Sequence, residues 1–415
     1  MSQHPGIFPT FFLSGFECST FLWKEQGRRD LVAETQHREH ALQDYGLLRS
    51  VGIGVAREGI PWPQVDRGGG RFDFAPIEPL IDALRQTQVL PVWDLCHYGY
   101  PDGCDPFSPG FVQRFADYCR AAAAHVCPRL HGPHCFTPIN EITFWGFAGG
   151  EWGWMGPFGR DRATRERMRR VLCEAAIAGV RAIREVQPDA RMLHVEPLIR
   201  VVPPADRPDL ADEARREMED DACFAWDVLY GRLHPELGGA PEVLDIVGTN
   251  CYSFGQMEYR EQGPHMAMDP HDHRIAPLCE MLSMVWERYR RPMVIAETSG
   301  LGEGREDWLR DVMQESLAAV ERGIELHGVC LFPGVDMPDW HTGEWLHNGL
   351  CDLVDEGGIL RRVPCAPYIE ELHRWQRLLR RATRLDADPF SDPVDLQDVI
   401  EAARRIKAQP DRDWH

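Results

Sequence analysis

The sequence contains no apolar run approaching the ~18 residues that a membrane-crossing helix requires, so no membrane partner is expected. Basic residues are also in short supply. Lys and Arg number 45 against 65 Asp and Glu, a formal net charge of −20. That balance repels phosphate-rich partners, and no nucleic-acid partner is expected. The first ten residues are polar and Pro-rich, without the basic-then-apolar order of a secretory signal. The 13 cysteines are odd in number and scattered. Reduced thiols in a cytoplasmic protein are the simpler expectation than a disulfide framework. Internal repeats and low-complexity linkers are absent as well. Nothing in the sequence sets an oligomeric state.

What is present is 43% apolar residues over 415 positions, enough for a large core. Short apolar runs alternate with helical patterns. Strands are expected at 11–16, 51–56, 89–95, 134–139, 190–195, 243–250, 293–296 and 329–332. Helices are expected at 30–50, 75–87, 109–126, 162–186 and 306–322, the first burying Leu42, Tyr45, Leu47 and Leu48. Such alternation predicts an α/β fold, a (β/α)8 TIM barrel, which accommodates this length as one domain. The barrel is expected over 1–380. A C-terminal helical appendage is expected over 381–415, with Asp- and Pro-rich 386–393 leading into an amphipathic helix at 394–407.

Barrel active sites gather where strands end. Polar residues at the expected strand ends are Arg57, Asp94 with His97, Asn140 with Glu141, His194 with Glu196, Asn250 with Tyr252, Glu297, and Asp336, Asp339 and Trp340. Two glutamates follow apolar runs directly, in Thr137-Pro138-Ile139-Asn140-Glu141 and in Val294-Ile295-Ala296-Glu297. On strands four and seven both can point across the mouth. One alone is more simply a strand-end salt bridge. Two together suit glycoside cleavage, in which one carboxyl protonates the leaving oxygen and the other meets the developing positive charge. Arg57 would keep Glu297 ionised, Tyr252 would orient it, and Asn140 would bond a sugar hydroxyl. His97 and Trp340 would bind hydroxyls and the apolar sugar face.

Other features are less specific. Trp145, Trp152 and Trp154 lie in an expected loop over 144–158, where they either stack on sugars or form the loop's own core. Glu151 in the same loop is a third carboxylate candidate. Cys96, His97 and Cys104 match no zinc spacing, and Asp269 to His273 reads as a solvated loop. No metal and no cofactor are expected.

These motifs together resemble glycoside hydrolase family 1 and, more broadly, the clan A retaining glycosidases. The resemblance is scattered over residues 11–370. It runs through Phe12-Leu13-Ser14-Gly15, Val51 to Arg57 with Ile60-Pro61-Trp62-Pro63, His97 with Pro101, Thr137 to Glu141, Asp245 to Tyr252, Ile295 to Glu297, Asp336 to Trp340 and Gly349 to Pro364. It implies Glu141 as acid/base and Glu297 as nucleophile in a β-glycosidase, with a carbohydrate or glycoside as substrate. Arg57, His97, Asn140, Asn250, Tyr252, Asp339 and Trp340 are the implied substrate-binding residues. The departures concern sugar recognition. Leu22 stands where the family carries a hydroxyl-binding Gln, Phe332 where it has a Trp, Asp339 where it has a Glu, and Thr298-Ser299-Gly300 follows the nucleophile position. A transglycosidase using the same intermediate and a sugar-binding barrel without catalysis are the competing readings.

Overall fold

A computed structural model describes residues 6–24, 26–383 and 394–408. Eight parallel strands close into a barrel. They are β1 (Phe12–Gly15), β2 (Val55–Gly59), β3 (Leu90–Asp94), β4 (Cys135–Thr137), β5 (Arg191–Pro197), β6 (Ile246–Asn250), β7 (Met293–Thr298) and β8 (Leu326–Leu331). The order around the ring is that of the sequence, with β8 pairing β1 through Phe12 and Val329. The expected α/β barrel is therefore the observed one.

Strand periodicity sorts the side chains into two layers. Leu13, Val55, Val92, Cys135, Leu193, Val195, Ile246, Val294, Ala296 and Cys330 form a separate apolar cluster that fills the barrel. The alternate residues, among them Phe12, Ala56, Trp93, Phe136, Met192, Val247 and Ile295, pack outward into the larger core beneath the helices. Those helices include α1 (His37–Ser50), α2 (Glu78–Thr87), α3 (Phe111–Val126), α4 (Arg162–Val186), α5 (Phe224–Tyr230), α6 (Leu278–Tyr289), α7 (Arg305–Glu321), α8 (Ala366–Thr383) and α9 (Leu396–Lys407). The 25-residue α4 starts at Asp161, whose carboxylate accepts the Thr164 N–H at 2.8 Å, satisfying a donor that no helical carbonyl reaches.

Several expected elements shift. The helix expected over 30–50 is two pieces, because Gln36 takes a left-handed φ of 53° between the turn Leu31–Glu34 and α1. Leu42 is not on the buried face and is 51% exposed; the expected Tyr45 and Leu48 are buried, together with His37, Ala41 and Asp44. The second strand begins at Val55 rather than 51, since Gly52 at φ 78° turns the chain out of α1 first. The segment expected as a loop over 144–158 opens with the helical turn Ile142–Trp145 and the π-turn Gly146–Glu151.

At the C-terminal end, α8 runs across position 381, so the expected boundary falls inside a helix. The α9 helix buries Leu396, Val399, Ala402 and Ala403, and Lys407 pairs with Glu321 of α7 at 2.8 Å. The Asp- and Pro-rich 386–393 lies outside the described residues.

Candidate active site

The inward-facing row that begins with the barrel filling ends in polar residues at the C-terminal mouth. Two positions after Val55 comes Arg57, two after Val92 comes Asp94, and Asn250 continues the row of Ile246. Glu297 follows Ala296 and would face outward in a regular strand. β7 is irregular here: its register against β6 slips between Ile295 and Glu297. A bulge of this kind re-aims a side chain, and Glu297 is thereby bonded inside the mouth. Gly15 leaves the space that Arg57 occupies. A Cβ there would lie 2.9 Å from the Arg57 Cβ and 2.7 Å from the Phe332 ring.

Arg57 is 2% exposed and organises the site. Its Nη1 donates to Glu297 Oε1 at 2.5 Å and to the Ala296 carbonyl at 3.2 Å. Its Nη2 donates to Asp94 Oδ2 at 3.0 Å and to Asn140 Oδ1 at 2.8 Å. The Phe332 ring lies over the guanidinium at 5.4 Å. The other oxygen of Glu297 accepts the Tyr252 hydroxyl at 2.9 Å. An arginine and a phenol thus occupy the two oxygens of one carboxylate.

Glu141 has different surroundings. It sits in the left-handed region, φ 44° and ψ 60°, which costs a non-glycine residue roughly 1–2 kcal/mol. Strain of this kind persists where the surroundings hold it. Asn250 Nδ2 donates to its Oε1 at 2.7 Å, and the Tyr98 hydroxyl donates to its Oε2. Burial, and then the charge of Glu297, push its pKa up to about 7 against the pull of those two donors. Behind it, burial pushes Glu196 up to about 8, and its carboxyl accepts the Thr143 N–H.

His97 links the two halves. Its Nδ1 lies 3.1 Å from Asp94 Oδ2 and its Nε2 lies 3.2 Å from Asn140 Nδ2. Burial opposes a charge on the ring; Cys18, Glu17 and Asp94 favour one and carry its pKa upward. Two facts weigh against the imidazolium. Cys18 is a neutral thiol, its own pKa pushed up to about 12 by burial. Asn140 has its orientation fixed by Arg57 and so presents an N–H to Nε2. We therefore assign the neutral ring, with Nδ1–H donating to Asp94 and Nε2 accepting. The second Asn140 N–H goes to the Tyr98 oxygen at 3.1 Å. A continuous chain of hydrogen bonds thus runs from Asp94 through His97, Asn140 and Tyr98 to Glu141.

No protein-family model matches the chain. The aryl-phospho-β-D-glucosidase BglC of Bacillus subtilis (strain 168) is 22% identical over 437 residues, covering 82% of this chain and 91% of that protein. Among solved structures, the family 1 β-glucosidase from Thermotoga maritima superposes with a TM-score of 0.72 at 16% identity, covering 89% of this chain and 97% of that one. The β-glucosidase of the same organism in complex with glucoimidazole gives 0.75 at 16% identity, covering 90% and 99%. The chain shares the barrel fold of these β-glucosidases and is similar in sequence to the aryl-phospho-β-D-glucosidase.

In this barrel the bonds bring together Arg57, His97, Asn140, Glu141, Asn250, Tyr252 and Glu297. Trp340 borders them, its ring against Tyr98, Phe21 and Phe144 and its Nε1–H without a partner among the described residues. Asp339 is not among the connected residues: its carboxylate accepts the His341 and Thr342 N–H groups of its own turn. Leu22 is half-buried in a two-residue strand paired with Gly27–Arg28. Asp336 is bonded to Gly349, Leu353 and His347, which holds the loop after β8. His194 faces the helices, bonded to the Val243 carbonyl, and burial pushes its pKa down to about 4.

The aromatic segment divides. Trp145 is fully buried, donates to the Gly156 carbonyl at 3.1 Å and stacks on Tyr100, which is a packing role. Trp152 and Trp154 are half-buried, 4.6 Å apart, with Trp154 edge-on to His341. Glu151 is paired with Arg165 at 2.9 Å.

Sequence reasoning missed Tyr98 and Glu17, and named Asp94 only as a strand end. Tyr98 has no signal beyond its place after His97. Glu17 had one: Leu13, Gly15 and Glu17 share the inward period of β1. Among the described residues, Cys18, Asp94 and His97 converge as potential metal ligands, as do Asp336, His347 and Asp352. Arg57 and Asn140 already engage the first group, and Arg305 with two backbone N–H groups the second.

Proposed function

We propose that the chain is a retaining β-glycosidase, with Glu297 as nucleophile and Glu141 as general acid/base. The observation that carries this reading is the opposite electrostatic setting of two carboxyls in one pocket. Glu297 takes Arg57 and Tyr252. Glu141 is raised to about 7 by burial and by Glu297. One group is prepared to attack in its charged form and the other to hold a proton near neutrality.

In the first step Glu297 attacks the anomeric carbon as Glu141 protonates the departing oxygen, leaving a glycosyl ester. In the second, Glu141 takes a proton from water, which displaces the ester with a second inversion. Both Glu141 oxygens are occupied by donors in the free site, so the leaving oxygen must take the place of Tyr98 or Asn250. The names of the similar proteins, β-glucosidases and an aryl-phospho-β-D-glucosidase, support a β-linked glycoside as substrate.

A panel of aryl β-glycosides, with proton NMR of the fresh product anomer, tests the reading. Hydrolysis with retained configuration, lost in Glu297→Gly, is expected. Inverted product rejects the nucleophile. Absence of turnover with binding intact would make the chain a sugar-binding barrel, and transfer to an added alcohol in place of hydrolysis would make it a transglycosidase.

A further inference from the structure

Glu17 lies two residues beyond the end of β1 and is 4% exposed. It extends the inward row of Leu13, which fills the barrel, and Gly15, which makes room for Arg57. One carboxylate oxygen, Oε1, accepts the Ser19 N–H at 2.9 Å and stands 3.9 Å from His97 Nε2, beyond hydrogen-bond range. The other, Oε2, has no hydrogen-bond partner among the described residues. His97 cannot serve as its counterion in the neutral form assigned above. A buried carboxylate with an open oxygen and no cation is costly unless donors arrive from elsewhere.

The surroundings say where those donors would come from. Glu17 stands next to His97, whose Nε2 is bonded to Asn140, and Asn140 also bonds Tyr98, the partner of Glu141, so Glu17 belongs to the same pocket. Two more buried polar atoms of that pocket lack partners among the described residues: Trp340 Nε1, a donor, and Asn250 Oδ1, an acceptor. An open acceptor in a pocket that also holds unpaired groups of both kinds suits hydroxyls, which donate and accept at once. Of the positions expected to read hydroxyls, one supplies no acceptor and the other is partly engaged. Leu22 is apolar, and Asp339 gives its Oδ1 to two N–H groups of its own turn.

We infer that Glu17 is a glycone-binding residue, whose open oxygen accepts hydrogen bonds from ring hydroxyls of the sugar that Glu297 attacks. A carboxylate delivered by β1 thereby adds to the one carried by the loop after β8, its neighbour in the barrel. This rests on the glycosidase reading and names the residue that sets its sugar preference.

The test is a cycle between Glu17→Gln and 4-nitrophenyl β-glycosides deoxygenated at one ring position at a time. The Gln side chain can keep an oxygen on the Ser19 N–H while its NH2, a donor, replaces the open acceptor. On the hydroxylated glycoside, kcat/KM should fall roughly 10- to 100-fold, the worth of a hydrogen bond to a charged group. On the glycoside lacking the contacted hydroxyl, wild type and variant should differ little. Glu17→Asp, which keeps the charge but withdraws it by one methylene, should show the same pattern and serves if Glu17→Gln folds poorly. An equal loss on every glycoside, or none on any, would overturn the inference.

The same series can be read as binding to Glu297→Gly with and without Glu17→Gln, which needs no turnover. Retained turnover with additive losses defeats the Glu17 role alone. Absence of both turnover and glycoside binding defeats the glycosidase reading with it.

Discussion

Arg57 and Glu58 are adjacent on β2, both buried, and head two polar clusters on opposite faces of one strand. Arg57 points into the mouth. Glu58 points outward to α1, where its carboxylate meets His37 Nε2 at 2.9 Å, the Tyr45 hydroxyl and the Gly59 N–H. His37 Nδ1 meets Asp44 Oδ2 at 2.7 Å, and Arg362 from the hairpin after β8 grips both Asp44 oxygens at 2.8 and 3.0 Å. The outward cluster balances. Its histidine has a carboxylate on each nitrogen, and none of its side-chain atoms is among the buried groups left unpaired. The inward cluster does not balance. Arg57 Nε, Asn250 Oδ1 and Trp340 Nε1 lack partners among the described residues, and Tyr98 and Glu141 sit at φ 64° and 44°. A closed polar network specifies packing, whereas an incomplete and strained one waits for a ligand.

The contrast is broken most severely by Arg57→Met. Glu297 and Asp94 lose their cation, Asn140 loses its anchor, and kcat/KM on an aryl glycoside should fall by several orders of magnitude. Little change would place the chemistry elsewhere. In the outward cluster, Arg362→Met should instead act on stability. Removing one partner of a buried pair costs about 3–5 kcal/mol, read by urea unfolding, while kcat per folded molecule stays near wild type. A catalytic defect without destabilisation would erase the distinction.

A third expectation is the pH response of the outward cluster. Glu58 and Asp44, working against burial, raise the pKa of His37 from 6.5 to about 9. A folded-state pKa above the unfolded value stabilises fully below the unfolded value and is lost as pH rises through the folded one. Unfolding free energy should therefore decline between about pH 7 and 10, by about 3 kcal/mol from this group. The decline should vanish in His37→Gln. A flat wild-type profile would contradict the imidazolium.

The smallest effect concerns the inward cluster. The Tyr98 hydroxyl donates to Glu141 and favours its charged form, so Tyr98→Phe should raise the Glu141 pKa. The alkaline limb of activity, expected near 7, should move upward by up to about one unit. A downward move would reverse the assigned bond direction.

These two faces also differ in how legible they were. Glu141 and Glu297 each follow an apolar run, and the eightfold alternation places such ends at one mouth. The sequence does not announce that Glu297 reaches the mouth through a slip in register, because a bulge leaves no mark in residue type. The outward cluster was illegible for another reason. It joins residues from 37 to 362, and pattern reasoning expects Leu42, not His37 and Asp44, to be buried. A long-range ionic network overrode the apolar period. Tyr98 is hidden similarly, since its role depends on a left-handed backbone and on Asn140 being turned by Arg57.

The covalent role of Glu297 is tested most directly by the anomeric configuration of azide adducts. In Glu297→Gly, azide can occupy the vacated space and displace an activated leaving group once, and the glycosyl azide should be inverted. In Glu141→Ala the ester still forms and accumulates, and azide displacing it should give the retained product. Proton NMR distinguishes the two anomers. Inverted product from the first variant and retained product from the second is the predicted pair. Retained product from Glu297→Gly would contradict the assignment of Glu297 as nucleophile.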